Sequence, residues 1–335
     1  MIYQTERAGQ GHSRPRRLFR APSNEGGFIL VTILLIIAVL FPLVLAFNNK
    51  VQINLLQAAN HRDSVQALRM ARSGVEGAIG ILKADDGTYD TMKDTWAIDF
   101  PAIGAGEGIL QVKIVDEEGK IAVNRLVGSS GVDVNRDVEE QLRSLIERLG
   151  GKPEIVDALI DWMDVNDDVT GTAGAEEDIY GNLGYHVKNG PLDSINELLL
   201  VKGFDKELLY DRGLSEYLTV APGTDGKINV NTAPSEVLQA VLGTMTASLS
   251  TPLSESDIED VVRYREEHEF KNVTEIGQVI KVSTTQMGSI TPLVKVNSSF
   301  FSVHSIYTIG KVSKGVDALL KRDGKTITTI AWREL

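Results

Sequence analysis

The chain has 335 residues, which suits two ordinary globular domains or one domain with a large insertion. Its 34 lysines and arginines against 46 aspartates and glutamates give a net charge of −12, which argues against a nucleic-acid-binding protein, because such proteins need a cationic surface. There are no cysteines, so disulfides, zinc–thiolate sites and cysteine nucleophiles are excluded. The charge is uneven: residues 1–27 carry five arginines and two glutamates, so this leader is +3 and the rest of the chain is −15.

An uncharged, apolar run occupies residues 28–47, directly after the basic leader. As a helix rising 1.5 Å per residue, a run of this length spans about 30 Å, the thickness of the hydrocarbon core of a bilayer. Because the arginines precede it, the positive-inside rule predicts that residues 1–27 are cytoplasmic and that everything after Asn48 lies outside. A plain single-pass anchor is one interpretation. A cleaved secretory signal is disfavoured, because no small residues at the A-x-A spacing follow the run.

A glycine stands before the apolar run: the sequence SNEGG ends at Gly27 and Phe28 follows. This junction, with its basic leader, resembles the type IV prepilin signal. The resemblance implies that a prepilin peptidase cuts after Gly27 and that Phe28 becomes the N-methylated first residue of a retained helix. Most members of that family have glutamate at the fifth mature position, where it pairs with the amine of the subunit ahead; here that position is Thr32. A carboxylate in hydrocarbon is costly unless it is paired, so Thr32 suggests a subunit at the filament tip.

The helix is predicted to continue over residues 48–84, where apolar side chains recur at three- and four-residue spacing and form one stripe. A coiled-coil stalk is disfavoured, because Gly74, Gly77 and Gly80 interrupt any heptad. A single helix of more than fifty residues, half in lipid and half amphipathic, is how pilin-like subunits begin. We therefore expect an α+β fold in which this helix packs on an antiparallel sheet.

Alternating apolar residues in 107–126 predict a β-hairpin around the turn EEGK. The motif EEGKIAVN at 117–124 is echoed by TDGKINVN at 224–231. Three more strands are predicted near the end of the chain, at 300–310, 315–322 and 325–332.

Between the early and late strands the pattern is helical, and the predicted helices are 138–149, 153–163, 196–201, 206–210, 235–242, 256–267 and 273–280. Segments 195–204 and 274–280 look like helix-hairpin-helix elements, but acidic residues flank both, so DNA binding is not expected. The expected division has five parts. They are a leader (1–27), a membrane helix (28–47), a first pilin-like part (48–126), a helical insertion (127–222) and the rest of the pilin-like domain (223–335).

Five motifs occur in an order that resembles protein K of type II secretion systems, from Gly27 to about Val282 with gaps. They are DWMD at 161–164, GAE at 174–176, Tyr180, NGPLDSINEL at 189–198 and INVNTA at 228–233. The resemblance implies a minor pseudopilin, anchored in the inner membrane with its globular part in the periplasm, that initiates or caps the pseudopilus for protein export. It also implies I- and J-like minor pseudopilins and the major pseudopilin as partners. That family lacks the fifth-position glutamate throughout, which agrees with Thr32.

Residues 161–178 hold eight carboxylate or carboxamide side chains and no lysine or arginine. Such a cluster repels itself unless a hard cation neutralises it, and calcium takes six to eight oxygen ligands. The pattern is not an EF-hand, because Val169 stands where that loop requires glycine. A solvated acidic loop is the alternative; the resemblance favours calcium, since protein K binds calcium in this region. The candidate ligands are Asp161, Asp164, Asn166, Asp168, Glu176 and Asp178.

Enzyme signatures are incomplete. The sequence His268–Glu269 begins a zincin motif, but the position of the second histidine is Asn272, and neither a G-x-S-x-G motif nor a P-loop occurs. We therefore expect assembly rather than catalysis. A membrane-anchored enzyme would need a convergent polar pocket. The alternative that shares the leader is a minor pilin-like component of a type IV pilus or DNA-uptake filament, which should show a basic patch.

Overall fold

The computed structural model describes residues 25–245, 248–249 and 251–335. Of the leader expected at 1–27, residues 1–24 therefore lie outside the described residues. The chain divides into two compact units, one ending at His61 and the other extending from Arg62 to Leu335. Each is described by itself.

Helix α1 (Glu25–Ala84) is 60 residues long, which confirms the single long helix that the sequence predicts. In its first part the side chains of 28–47 are exposed and apolar, and the mean hydropathy reaches 3.2. Among the described residues it is the one helix long and apolar enough to cross a membrane. Pro42 lies inside the helix, a position that membrane helices tolerate.

The described strands follow in chain order as β1 (Ile103–Ala105), β2 (Gly108–Asp116), β3 (Ile121–Ala122), β4 (Leu218–Thr219), β5 (Ile228–Asn229), β6 (Val294–Lys295), β7 (Phe300–Ile309), β8 (Val312–Asp323) and β9 (Thr326–Glu334). The helices after α1 are α2 (Arg136–Arg148), α3 (Ile155–Met163), α4 (Glu177–Leu183), α5 (Leu214–Tyr217), α6 (Ser235–Leu242), α7 (Glu255–Glu267), α8 (Thr274–Val279) and α9 (Thr284–Ile290). Two 3₁₀ segments, Val123–Arg125 and Ile195–Leu200, and a π turn, Glu207–Asp211, complete the set.

Five strands form an antiparallel sheet in the order β1-β2-β7-β8-β9, and the second part of α1 packs on it. Five small or apolar side chains of the helix are fully buried against sheet residues such as Phe301 and Tyr307; they are Ala67, Ala71, Val75, Ala78 and Leu82. Their spacing of three and four residues is the apolar stripe read from the sequence. The expected α+β fold, a long helix on an antiparallel sheet with a helical insertion, is confirmed.

The hairpin predicted at 107–126 is wrong. Strand β2 pairs with β1 and β7, whereas β3 pairs in parallel with β4, almost a hundred residues later in the chain. The acidic residues of the supposed turn are buried rather than solvated: Glu117 bonds Lys120 and Thr219, and Glu118 pairs with Lys295. Thr219 and Lys295 belong to the insertion, so these carboxylates tie the insertion to the point at which the chain leaves the sheet.

The echoed motif is a structural duplication. Ile121 of the first copy pairs in parallel with Leu218, and Ile228 of the second with Val294. In both copies the final asparagine clamps the backbone of a distant residue with two hydrogen bonds: Asn124 clamps Leu192 at 2.8 and 3.0 Å, and Asn231 clamps Phe270 at 2.9 Å twice. The insertion therefore consists of two similarly closed helical loops, 121–219 and 228–295.

Both helical loops share one hydrophobic core, which reaches from Ile121 to Val296. Val237, Leu238 and Val241 of α6 are fully buried in it, and α6 packs on α2. The helices of the second loop, 228–295, were assigned from the sequence to the pilin-like part at 223–335. In the structure they pack with those of the first loop, because the apolar face of α6 is buried against α2 instead of the sheet.

Gly74 marks the closest approach of α1 to the sheet. A Cβ built there would lie 2.2 Å from Ser305 Oγ and 2.9 Å from Val112 Cγ2, whereas at Gly77, on the same helix, nothing lies within 4 Å. We expect Gly77→Ala to stabilise the unit by about 0.5–1 kcal/mol through helix propensity. Gly74→Ala should instead destabilise it by about 1–3 kcal/mol, because the added methyl overpacks the interface. Urea unfolding of the full chain in detergent measures both, and equal effects at the two sites would contradict the packing described.

Candidate functional site

The predicted processing site lies in the first turns of α1. Nothing lies within 4 Å of the position where a Cβ on Gly27 would stand, so packing within the chain does not require glycine there. Phe28 is exposed, and its carbonyl oxygen accepts a hydrogen bond of 2.9 Å from Thr32 Oγ1. The hydroxyl at the fifth mature position is thus satisfied inside its own helix, as an apolar medium requires.

Three carboxylates of the acidic segment project from one face of α3. Asp157 and Asp161 are one helical turn apart, and Asp164, the C-cap residue, follows at the next turn. All three are buried. The spacing i, i+4, i+7 therefore brings them into a single row beneath the loop that follows.

The loop over residues 165–176 folds back on this row through backbone amides. Thr170 and Ala175 donate to Asp161 at 3.0 and 2.7 Å, and Thr172 and Ala173 donate to Asp157 at 3.0 and 3.2 Å. The approach requires glycine: a Cβ on Gly174 would lie 2.3 Å from Asp161 Oδ2, and one on Gly171, which has φ +55°, 2.2 Å from Asp157 Oδ2.

Glu176 closes the loop at the N-cap of α4, yet its side chain does not cap the helix. A carboxylate in this position ordinarily accepts bonds from the free amides of the first turn. Instead both of its oxygens are buried with no hydrogen-bond partner among the described residues, and Asp164 Oδ1 is in the same condition. Three carboxylate oxygens therefore lie in the interior of the insertion without a donor, which is costly.

The electrostatics agree with this geometry. Burial, followed by the charges of Asp161 and Asp164, raises the pKa of Glu176 to about 7. Burial and the charge of Asp161 raise the pKa of Asp164 to about 6, and burial raises the pKa of Asp161 as well. Protein groups therefore do not fully compensate the negative charges of Asp161, Asp164 and Glu176.

The six predicted ligands do not all meet. Asp161, Asp164 and Glu176 are buried and near enough for their charges to interact, whereas Asp168 and Asp178 are exposed. Asn166 is half-buried, and its Oδ1 accepts from the amide of Asp168 at 2.8 Å. In the part of the chain that the structure describes, no three of these carboxylates bring oxygens within 4.8 Å of one another.

Arg143, whose guanidinium pairs with the first carboxylate of the row, Asp157, was not identified from the sequence. Arg143 of α2 bonds Asp157, Glu139 and the carbonyl of Pro153, the last at 2.9 Å. Hydrogen bonds from Arg143 and Ala173 outweigh the effect of burial and lower the pKa of Asp157. Asp157 therefore holds the loop in position and is itself paired with Arg143. The sequence signal that could have identified Asp157 is its place one helical turn before Asp161.

The motifs that suggested a family form the wall of this region. The indole nitrogen of Trp162 donates to Glu197 at 2.9 Å, and the Trp162 ring meets Tyr180 edge-on, with centroids 5.0 Å apart. Lys188 pairs with Glu197 and with Asp193. Trp162 is therefore part of the hydrophobic core.

The comparisons with known proteins agree with one another. Residues 119–223 match the family model described as type II secretion system (T2SS), protein K. A protein named type II secretion system protein K from Pseudomonas aeruginosa is 28% identical over 90% of this chain and 91% of its own. One from Aeromonas hydrophila is 24% identical over 93% of this chain and 97% of its own. Among solved structures, the GspK-GspI-GspJ complex from the enterotoxigenic Escherichia coli type 2 secretion system matches with a TM-score of 0.67 at 19% identity, over 83% of this chain and 99% of the matched chain, which shows a shared fold.

The buried ion pair beneath the acidic row makes a sharp stability prediction. Arg143→Met removes the cationic partner of the buried Asp157 and one of the two cationic partners of Glu139, so the free energy of unfolding should fall by about 2–4 kcal/mol. Arg136 pairs with the same Glu139 but is 69% exposed, so Arg136→Met should cost less than about 1 kcal/mol. Urea unfolding measures the free energy of unfolding of both variants. Similar losses of stability in the two would show that burial does not set the strength of these ion pairs.

Proposed function

Since the chain belongs to the protein K family of type II secretion systems, we propose that it is the minor pseudopilin that initiates or caps a pseudopilus for protein export across the outer membrane. The observation that carries this proposal is the match to two protein K relatives over at least 90% of the chain. A match of that extent covers the greater part of both the pilin-like body and the helical insertion. The proposed role is assembly, not catalysis.

The start of α1 supports a position at the tip. A glutamate at position 32 would need a counter-charge from a subunit ahead, whereas Thr32 is satisfied by the carbonyl of Phe28. The helix can therefore enter the apolar interior of a filament with nothing ahead of it. The helical loops between β2 and β7 add bulk to the pilin-like body, which would block addition of a further subunit at that end.

The proposed environment follows from the membrane helix and its basic leader. The chain would be inserted in the inner membrane, cut after Gly27 by the prepilin peptidase, and exposed to the periplasm from Asn48 onwards. The solved relative was crystallised as a GspK-GspI-GspJ complex, and we propose I- and J-like minor pseudopilins as partners of this chain. The DNA-uptake alternative gains no support from the structure: α8 and α9 do pair as a short helical hairpin, but Glu275 lies in the first turn of α8.

We also propose that the acidic row binds calcium. The donor chemistry fits: the unpartnered oxygens of Asp164 and Glu176 are hard ligands, and Asp161 of α3 is close enough for its charge to act on both. Calcium accepts such irregular oxygen sets. Asp161, Asp164 and Glu176 would hold the ion, with Asn166, Asp168 and Asp178 at the open side. The ion would supply positive charge that locks the loop 165–176 on α3.

Calcium binding predicts a paired result at two adjacent glutamates. With calcium at 100 times its Kd, the full chain in detergent should gain about 2.7 kcal/mol over the same chain in chelator, or about 5–10 °C in Tm. Glu176→Gln should reduce this shift, because it removes a buried ligand of the site on α3. Glu177→Gln should retain it, because Glu177 is exposed and bonds His186 and Val187 instead. A full calcium shift in the Glu176→Gln chain would refute the site.

Assembly at the tip predicts a defined complex of processed subunits. Co-expressed with the peptidase and with I- and J-like pseudopilins, the chain should purify with them in a 1:1:1 ratio, and its N-terminal residue should be Phe28. Gly27→Leu should leave the full-length precursor on a gel, while Gly26→Ala, at the neighbouring glycine, should be processed. Processing of Gly27→Leu, or failure of the mature chain to bind either minor pseudopilin, would contradict the proposal.

A further inference from the structure

A second convergence of carboxylates lies in the loop that directly follows α1. Asp85, Asp90 and Asp94 each present an oxygen, and these three oxygens lie within 4.8 Å of one another. Asp90 is fully buried, and the other two are half-buried. This group belongs to the unit formed by the sheet and the second part of α1, and its members are separate from those of the acidic row on α3.

One cation already contacts the group. Arg322 of β8 donates through Nη1 to Asp85 Oδ2 at 2.6 Å and through Nη2 to Asp90 Oδ2. Asp94 does not contact Arg322; it accepts from the amide of Thr91 at 2.7 Å and from the Thr91 hydroxyl at 3.2 Å. Three carboxylates against one guanidinium leave a charge of −2 at the group. The exposed Asp86 and Lys325 lie at its rim with opposite charges.

Two buried polar atoms in this part of the structure have no hydrogen-bond partner among the described residues. Asp90 Oδ1 is buried and has no hydrogen-bond partner among the described residues, although Oδ2 of the same side chain accepts from Ser298 N and Arg322. The buried indole N–H of Trp96 has no acceptor within hydrogen-bond distance among the described residues, but it lies close enough to the Asp94 carboxylate to interact with it. A buried carboxylate oxygen without a donor is costly, and a cation bound at Asp90 Oδ1 would offset that cost.

We propose that Asp85, Asp90 and Asp94 bind a divalent cation, calcium, in a site distinct from that of the helical insertion. The ligands are carboxylate oxygens, which favour a hard cation, and the charge of −2 is the one that a divalent ion neutralises. Calcium is preferred over magnesium, because the ligands come from one irregular loop and magnesium demands near-ideal octahedral geometry. Water completes the coordination shell.

The position of this site gives it a structural role. Asp85 directly follows the end of α1, and Arg322 belongs to the sheet. The backbone of Asp90 donates to Val296 O at 2.8 Å, and its side chain accepts from Ser298, so the same residue contacts the segment that leads from the insertion back to β7. An ion here links the end of the long helix, the sheet and the return of the insertion.

Terbium reports this site in the full chain. Terbium replaces calcium and emits when a nearby tryptophan is excited, and Trp96 is the adjacent one. The titration is made in detergent on the Glu176→Gln chain, in which the site on α3 has lost a ligand. We expect terbium emission that calcium displaces. Adding Asp94→Asn should reduce it at least tenfold, whereas Asp86→Asn, at an exposed neighbour, should leave it unchanged.

Two controls keep the result interpretable. The carboxamide introduced by Asp94→Asn retains an acceptor for Thr91, so near-ultraviolet circular dichroism should match the parent. Trp96→Phe should remove the emission while equilibrium dialysis still finds the calcium bound, which assigns the signal to this site without changing a ligand. Emission that survives Asp94→Asn, or its absence from the Glu176→Gln chain, overturns the inference. The calcium proposal for α3 stands or falls separately, on the shift in Tm that Glu176→Gln reduces.

Discussion

The antiparallel pairing of β2 with β7 is the constraint on which the rest of the structure depends. It places Asp116 opposite Phe301, so the whole insertion leaves and re-enters the sheet at one point. At that point Asn229 is fully buried, and its amide donates to Asp90 O, Asp116 Oδ2 and Ser298 Oγ at 2.8–3.2 Å. Buried polar groups must satisfy one another, so the two ends of the insertion and the loop after α1 are fixed together. The insertion can then grow its own core without disturbing the sheet that packs on α1.

The acidity of the chain divides into groups that are compensated and groups that are not. At the junction, Glu117 and Glu118 are buried but paired with Lys120 and Lys295, and this is a solution within the protein. At the end of α3 and in the loop after α1 the protein supplies too few hydrogen-bond donors. Carboxylate oxygens of Asp164, Glu176 and Asp90 are therefore buried without a partner among the described residues. Unpaired buried charge is expensive, so these two places are where an external cation gains most. The charge of −15 beyond the leader is therefore a matter of specific sites, and not only of solubility.

Much of this organisation can be predicted from the sequence, because it follows continuous patterns. The second part of the long helix and the three last strands follow periods of 3.6 and 2. The predicted helices were found within two residues of their ends, although 196–201 is a 3₁₀ segment and 206–210 a π turn. The early hairpin failed because Glu117 and Glu118 have the composition of a solvated turn, and only the folded chain brings their partners close. Helices α4 and α9 are seven residues each and lack a clear apolar face, so periodicity missed them. Asp161 could be chosen as a ligand from local charge density. The group after α1 was missed because Asp85 and Asp90 are drawn together by Arg322, which lies 237 residues after Asp85.

The function rests on placing this subunit at one end of a filament. Because the chain has no cysteine, a single one introduced at the exposed Ser129 of the insertion is a unique label. The most direct measurement is electron microscopy of pseudopili assembled with the Ser129→Cys chain and labelled with maleimide-gold. The account predicts gold at one end of each filament, with one particle whatever the filament length. Gold distributed along the filament, in numbers that rise with length, would contradict it.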